Sequence, residues 1–85
     1  MLLEFYGEEC SHCIAMRPLV EQLEKEEHVS VTRYETWHNE DNVKTMQEYD
    51  KGLCGGVPFF FNTETGKHIC GETDYAGLKE WALGK

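Results

Sequence analysis

Eighty-five residues at 40% hydrophobic, 12% aromatic and 28% charged have an ordinary globular composition, which argues against disorder and for one domain over residues 1–85 with a small core. Sixteen acidic against eight basic side chains give a net charge of -8, which repels phosphate and speaks against nucleic-acid and anionic-membrane partners. No apolar run reaches the roughly 18 residues of a membrane span, and the N-terminus lacks the basic start and long apolar segment of a signal peptide, so a cytoplasmic monomer is expected.

In chain order the first element is an apolar strand over Leu2–Tyr6, interrupted by Glu4. A helix is predicted from about Ser11 to Glu26, where Met16, Leu19, Val20 and Leu23 fall at i, i+3, i+4 and i+7 and define the buried stripe. Pro18 lies inside it and should kink the helix or disturb one of its hydrogen bonds. Val29 to Tyr34 alternates and is rich in β-branched residues, the pattern of a strand. Asn39 or Asp41 can cap a second helix, with Val43 and Met46 facing inward and an end near Gly52. Val57–Phe61 and Lys67–Cys70 read as a hairpin around Asn62-Thr63-Glu64-Thr65-Gly66, with Gly66 able to take positive φ. Asp74 or Thr73 starts the last helix, whose apolar side is Tyr75, Leu78, Trp81 and Ala82. The order β-α-β-α-β-β-α implies an α/β domain, a four-stranded mixed sheet flanked on both faces by three helices.

Cys10-Ser11-His12-Cys13 stands at the first strand-to-helix junction. Thiols three apart at a helix start can approach each other, and the helix N-terminus favours a thiolate on the first. The same spacing is also half of a zinc site.

The chain resembles the thioredoxin superfamily over nearly its whole length. Glu4 fills the slot of the buried acid six residues before the first cysteine, and Pro18 matches the proline of the active-site helix. Gly56-Val57-Pro58 resembles the loop holding the family's cis-proline, and Gly71 to Trp81 resembles its glycine and last helix. Size and element order are closer to glutaredoxin, as in a minimal thioredoxin-like fold. The resemblance implies a protein dithiol–disulfide oxidoreductase without a cofactor or bound metal, acting on disulfide-containing proteins and recharged by a thiol reductant or reductase.

In that chemistry Cys10, at the exposed helix end, is the attacking sulfur and Cys13 the resolving thiol. His12 can place a positive charge near Cys10, so the couple is expected to be more oxidising than the about −270 mV of thioredoxin; the bland reading is an exposed polar residue. Glu4 should be buried with a raised pKa, take the proton of Cys13, and face Arg33 on the neighbouring strand; a buried ion pair without a catalytic part is the alternative. The resemblance implies a cis Pro58 and substrate contacts at Ser11, Gly56, Val57, Gly71, Thr73 and Asp74, with the Val57 backbone free to pair with an extended substrate.

Cys54 and Cys70 are expected near the same pole, with Trp37 and His38, as reduced buried cysteines or as parts of a metal site. Trp37 is either a substrate platform or packing, and His28 and His68 read as surface residues. Glutathione is the alternative substrate, as for a glutaredoxin: Thr73-Asp74 fits that reading, whereas Glu8 and Glu9 should repel its carboxylates. A metal-binding or redox-inactive module is the third reading.

Overall fold

The computed structural model describes residues 1–84, arranged as β1 (Leu2–Tyr6), α1 (Ser11–Glu27), β2 (Val31–Glu35), α2 (Glu40–Asp50), β3 (Phe59–Asn62), β4 (His68–Cys70) and α3 (Tyr75–Leu83). The strands form one mixed sheet in the order β2-β1-β3-β4. β1 is parallel to β2, with Glu4 opposite Arg33, and antiparallel to β3, which is antiparallel to β4. The elements are those the sequence predicts, in the predicted order.

Period-two alternation in β1 divides the core in two. Leu2 packs with Met16, Val20 and Leu23 of α1 and with Leu78 and Trp81 of α3. Leu3 and Phe5 face the opposite side, against Met46 of α2, Phe59, Tyr34 and Tyr49. Helices therefore cover both faces, α1 and α3 on one and α2 on the other. Phe5 stacks on Tyr34 at 5.1 Å between ring centroids and on Phe59 at 6.0 Å, which makes the α2 face largely aromatic.

Boundaries differ from the expected ones by one or two residues, and three of the shifts have a clear local reason. β2 begins at Val31, two residues later than the alternation suggests, because its ladder partner β1 begins at Leu2; the first strand N–H, of Val31, is taken by the Glu24 carboxylate at 3.0 Å. β3 begins at Phe59 because Pro58 has no N–H to contribute to a ladder. α1 runs through Pro18 to Glu27 and ends where His28 adopts a left-handed conformation, φ 55°. His28 and His68 are exposed, as expected.

The ends of the helices are capped by side chains. Asn39 Oδ1 accepts the Asn42 N–H at 3.1 Å, and Asp74 Oδ1 accepts the Gly77 N–H at 2.8 Å. Asn62, buried, closes the hairpin by accepting the Glu64 N–H and donates to the Trp81 and Ala82 carbonyls at 3.1 and 3.3 Å. One amide thus joins the β3–β4 turn to the C-terminus of α3. No helix among the described residues is long and apolar enough to cross a membrane.

The second cysteine pair corrects the sequence reading. Cys54 and Cys70 form a disulfide, with Cα atoms 5.4 Å apart, and are neither reduced nor part of a metal site; Cys54 is half-buried and Cys70 exposed, not buried hydrophobes. Cys70 pairs with Phe59 across the β3–β4 ladder, and the loop leading into β3 brings Cys54 to the same edge. A bridge spanning 16 positions stabilises a small domain by restricting its unfolded chain, by about 3 kcal/mol for a loop of this size. The Cys54→Ser/Cys70→Ser double variant is accordingly expected to unfold at lower urea concentration, with a stability loss of about 3 kcal/mol. An unchanged urea midpoint would show that the bridge does not hold the native chain together.

Candidate active site at the α1 N-terminus

The turn leaving β1 places both free thiols on one helical turn. Cys10 N–H donates to the Gly7 carbonyl at 3.1 Å, which sets Cys10 as the N-cap of α1. Its Sγ accepts the Cys13 N–H at 3.3 Å, while Cys13 Sγ accepts the Gly7 N–H at 3.5 Å. Cys10 Sγ thus takes one of the N–H groups that a helix start leaves unpaired, while Cys13 Sγ is held by the turn before the helix. Burial pushes the Cys13 thiol up to about 12; its hydrogen bond with Cys10 and the charges of Cys10 and Glu4 add to this, against the Gly7 N–H.

Cys10 is less open than the expected exposed nucleophile: it is 6% exposed, against 2% for Cys13. The cover includes the loop before β3, where the Val57 carbonyl lies 3.9 Å from Cys10 Sγ. The Val57–Pro58 peptide bond is cis. Pro58 is buried, and its carbonyl accepts the Gly71 N–H at 2.8 Å, so residues 56–58, Gly71 and the α1 N-terminus meet at one pole.

The remaining candidates are distributed unevenly around that pole. Ser11 and His12 are exposed on the first turn of α1, and His12 Nδ1 lies 2.6 Å from Glu72 Oε1. The imidazole is therefore committed to a carboxylate just after Gly71. Thr73 and Asp74 serve the start of α3: Asp74 is the cap, and Thr73 packs on Gly77, where a Cβ would come within 2.2 Å of its hydroxyl. Gly56 is exposed in the loop beside Val57.

Glu4 has no solvent exposure, and its charge is felt at Cys13. Its Oε1 accepts from Arg33 Nε at 2.9 Å, and Arg33 in turn lies over the Tyr6 ring at 4.6 Å from its centroid. Its Oε2 has no hydrogen-bond partner among the described residues. Burial raises the Glu4 pKa above the ordinary carboxylate value, and Arg33, with a weaker contribution from Arg17, opposes the rise. Both the burial and the Arg33 pairing are as the sequence predicts.

Gly7, Glu35 and Asp50 are site residues that the sequence pattern does not single out, and Gly7 and Glu35 set the place of Trp37. Gly7 is required twice: its N–H bonds Cys13, and a Cβ there would lie 2.3 Å from the Trp37 ring. The exposed Trp37 thus lies flat on the turn before Cys10 and then borders a cavity of about 250 Å³ with Val43, Met46, Asp50, Gly56 and Val57. The i, i+3, i+4, i+7 spacing of Val43, Met46, Gln47 and Asp50 was a readable signal for that wall. The buried Asp50 carboxylate shapes the opposite wall by accepting the N–H groups of Cys54 and Gly55. Glu35 ties the pole together, accepting the N–H groups of Glu8, Trp37 and His38 at 3.0, 3.1 and 2.8 Å. Partial burial acts to raise the Glu35 pKa, but those three donors outweigh it and hold the carboxyl below its ordinary value.

The cysteines and histidines of this pole do not converge as a metal site, because two of the cysteines are bonded to each other. Among the described residues the metal-ligating atoms that do converge are those of Glu8, Glu9 and His38, all exposed. His38 Nε2 is already held by Glu9 at 2.6 Å, which raises its pKa. In comparisons with known proteins, no family model matches the chain and no curated sequence is similar to it.

Proposed function

We propose that the protein is a thiol–disulfide oxidoreductase of thioredoxin-like fold that acts on protein disulfides through Cys10 and Cys13. The observation that carries the reading is the pairing of two free thiols on one helical turn, Cys10 Sγ accepting the Cys13 N–H, directly beside the Val57 carbonyl and with the charge of the buried Glu4 felt at Cys13. In the reductive direction the Cys10 thiolate attacks one sulfur of a substrate disulfide in line. A Cys10–substrate bond forms, the substrate S–S bond breaks, and the other substrate sulfur leaves with the electron pair and takes a proton. Cys13 then loses its proton to Glu4 and attacks Cys10 Sγ, forming the Cys10–Cys13 disulfide and releasing the second substrate thiol. The substrate gains two electrons and two protons, and a dithiol reductant restores the starting state.

Val57 supports the way a polypeptide substrate would lie. Neither its N–H nor its carbonyl belongs to the β3 ladder, which starts at Phe59; the carbonyl faces the Cys10 thiol at 3.9 Å, so an extended strand added at Val57 would lie beside the attacking sulfur. The Cys54–Cys70 bridge joins its own two sulfurs, and the proposed cycle needs only Cys10 and Cys13.

A redox titration, with the Cys10/Cys13 thiols counted by alkylation and mass spectrometry and metal measured on the same sample, tests the proposal. A reversible two-electron couple carried by Cys10 and Cys13 is expected, with a midpoint above about −270 mV. A midpoint at or below that value would remove His12 from its role in setting the potential. Failure of the two sulfurs to bond, or stoichiometric metal bound to them, would overturn the oxidoreductase reading.

A further inference from the structure

The groove beside Cys10 has a shape and a charge that the exchange chemistry does not require. Its cavity of about 250 Å³ is bordered by Trp37, Val43, Met46 and Val57. That is smaller than the roughly 300–1,000 Å³ of a pocket that engulfs a whole small ligand and suits one large side chain. Because Val57 both borders the cavity and lies against Cys10 Sγ, a side chain seated there belongs to a residue near the substrate's cysteine in sequence.

The surroundings of this apolar slot are strongly acidic. Glu8 and Glu9 precede Cys10, and residues 35–50, which supply most of the groove, contain five carboxylates (Glu35, Glu40, Asp41, Glu48 and Asp50) against Lys44 alone. Glu72 and Asp74 stand on the other side of the cysteines. The two histidines of the pole do not offset this charge for a ligand, since His12 is held by Glu72 and His38 by Glu9, each at 2.6 Å. Arg33 is bonded to Glu4. Among the described residues Lys44 and, just after Asp50, Lys51 are the cations of this region, and the carboxylates outnumber them, so an anionic thiol is disfavoured and a cationic chain is drawn in.

We propose that the groove selects cysteines in extended polypeptide segments that carry a bulky apolar side chain close to the cysteine and positive charge on either side of it, and that it disfavours glutathione. This specificity rests on the oxidoreductase reading. Trp37 and Met46 act as specificity-determining residues that touch the apolar side chain, and the carboxylates act at longer range on the approach of the segment.

The test uses four substrates with the wild-type protein: oxidised glutathione and three peptides of equal length, each with one cysteine in mixed disulfide with 2-mercaptoethanol. One peptide has a neighbouring Phe with flanking Lys, the second the same Phe with flanking Glu, and the third Gly in place of Phe with flanking Lys. The Phe/Lys peptide is expected to exceed both the Phe/Glu peptide and glutathione disulfide by at least tenfold in kcat/KM at low salt. At about 1 M salt, where the screening length is about 3 Å, the gap to the Phe/Glu peptide should close and the gap to glutathione disulfide should narrow to the apolar contribution. The Gly/Lys peptide should lag by a similar factor at both salt concentrations. Trp37→Ala, at an exposed position, should erase the Phe-over-Gly preference and leave the charge preference intact. Equal rates for the three peptides, or fastest turnover of glutathione disulfide, would overturn the specificity while leaving exchange itself standing. Absence of exchange with every substrate would overturn the oxidoreductase reading and this one with it.

Discussion

Cys10→Ser is expected to abolish reduction of a protein disulfide by dithiothreitol, and Cys13→Ser to stop the same reaction one step later, at a long-lived mixed disulfide. The asymmetry follows from the environments of the two sulfurs. Cys10 caps α1, receives the Cys13 N–H, and lies beside the Val57 edge at which a substrate strand would pair. Cys13 is buried, with a thiol pushed up to about 12, chiefly by loss of solvent. Only a small fraction, roughly one in 10⁵, of such a thiol is ionised at pH 7, so Cys13 makes a poor first nucleophile. It becomes effective only once a mixed disulfide is held within its reach. A hydroxyl at position 10 lacks both the nucleophilicity of a thiolate and the ability to form a disulfide. Intact-mass measurement during turnover distinguishes the variants: the Cys13→Ser protein should accumulate one substrate adduct mapped to Cys10, and the Cys10→Ser protein none. An active Cys10→Ser protein, or an adduct on Cys13, would reverse the assignment.

Glu4→Gln should slow decay of the mixed disulfide by about 10²-fold near neutral pH, the scale of lost general-base assistance, while attack by Cys10 proceeds at the wild-type rate. A thiol with its pKa near 12 needs a neighbouring base to act at pH 7, and in the proposed cycle that base is Glu4, buried, with its charge felt at Cys13 and Oε2 unbonded among the described residues. The pH dependence has a definite sign. Burial raises the Glu4 pKa, so on acidification Glu4 becomes protonated, and its capacity to accept a proton is lost, at a higher pH than for an ordinary carboxyl. The acidic arm of the resolution-rate profile should therefore lie above the usual carboxylate range and disappear in Glu4→Gln.

Linkage requires a matching trend in stability. The folded protein holds the Glu4 proton more tightly than the unfolded chain does, so the stabilising contribution is complete below the unfolded pKa and is lost as pH rises through the folded one. Urea midpoints of wild type and Glu4→Gln measured across that window should diverge in this sense. Single-turnover decay of the trapped adduct gives the kinetic half of the test. Equal decay rates would remove the proton-transfer role and leave Glu4 as the buried partner of Arg33.

Much of this arrangement is visible in the order of the residues because it depends on local periodicity. The stripe Met16, Val20 and Leu23 and the set Leu78 and Trp81 identify helix faces whatever they pack on, and both enter the core. Glu4 stands out since a carboxylate within an apolar strand covered on both faces must be buried, and the parallel register then sets Arg33 opposite it. The Cys10–Cys13 relation is equally local, as a helix start brings residues three apart onto the same turn.

Other features depend on distances between elements that no local pattern encodes. Cys54 and Cys70 bond because a loop after α2 and the end of β4 meet at one sheet edge, and four cysteines in a chain do not reveal which of them will meet. The cover over Cys10 comes from Val57, 47 residues away, so the sulfur is more enclosed than a helix N-terminus alone implies. Trp37 acquires its place from Gly7, whose missing Cβ admits the indole. Composition and periodicity thus determined the seven elements, their buried faces, the Glu4–Arg33 pair and the adjacent thiols, all consequences of spacing along a helix or across a register. Tertiary structure alone decided the second disulfide, the enclosure of Cys10 and the acidic, apolar groove, because each arises where segments distant in sequence close the same small volume.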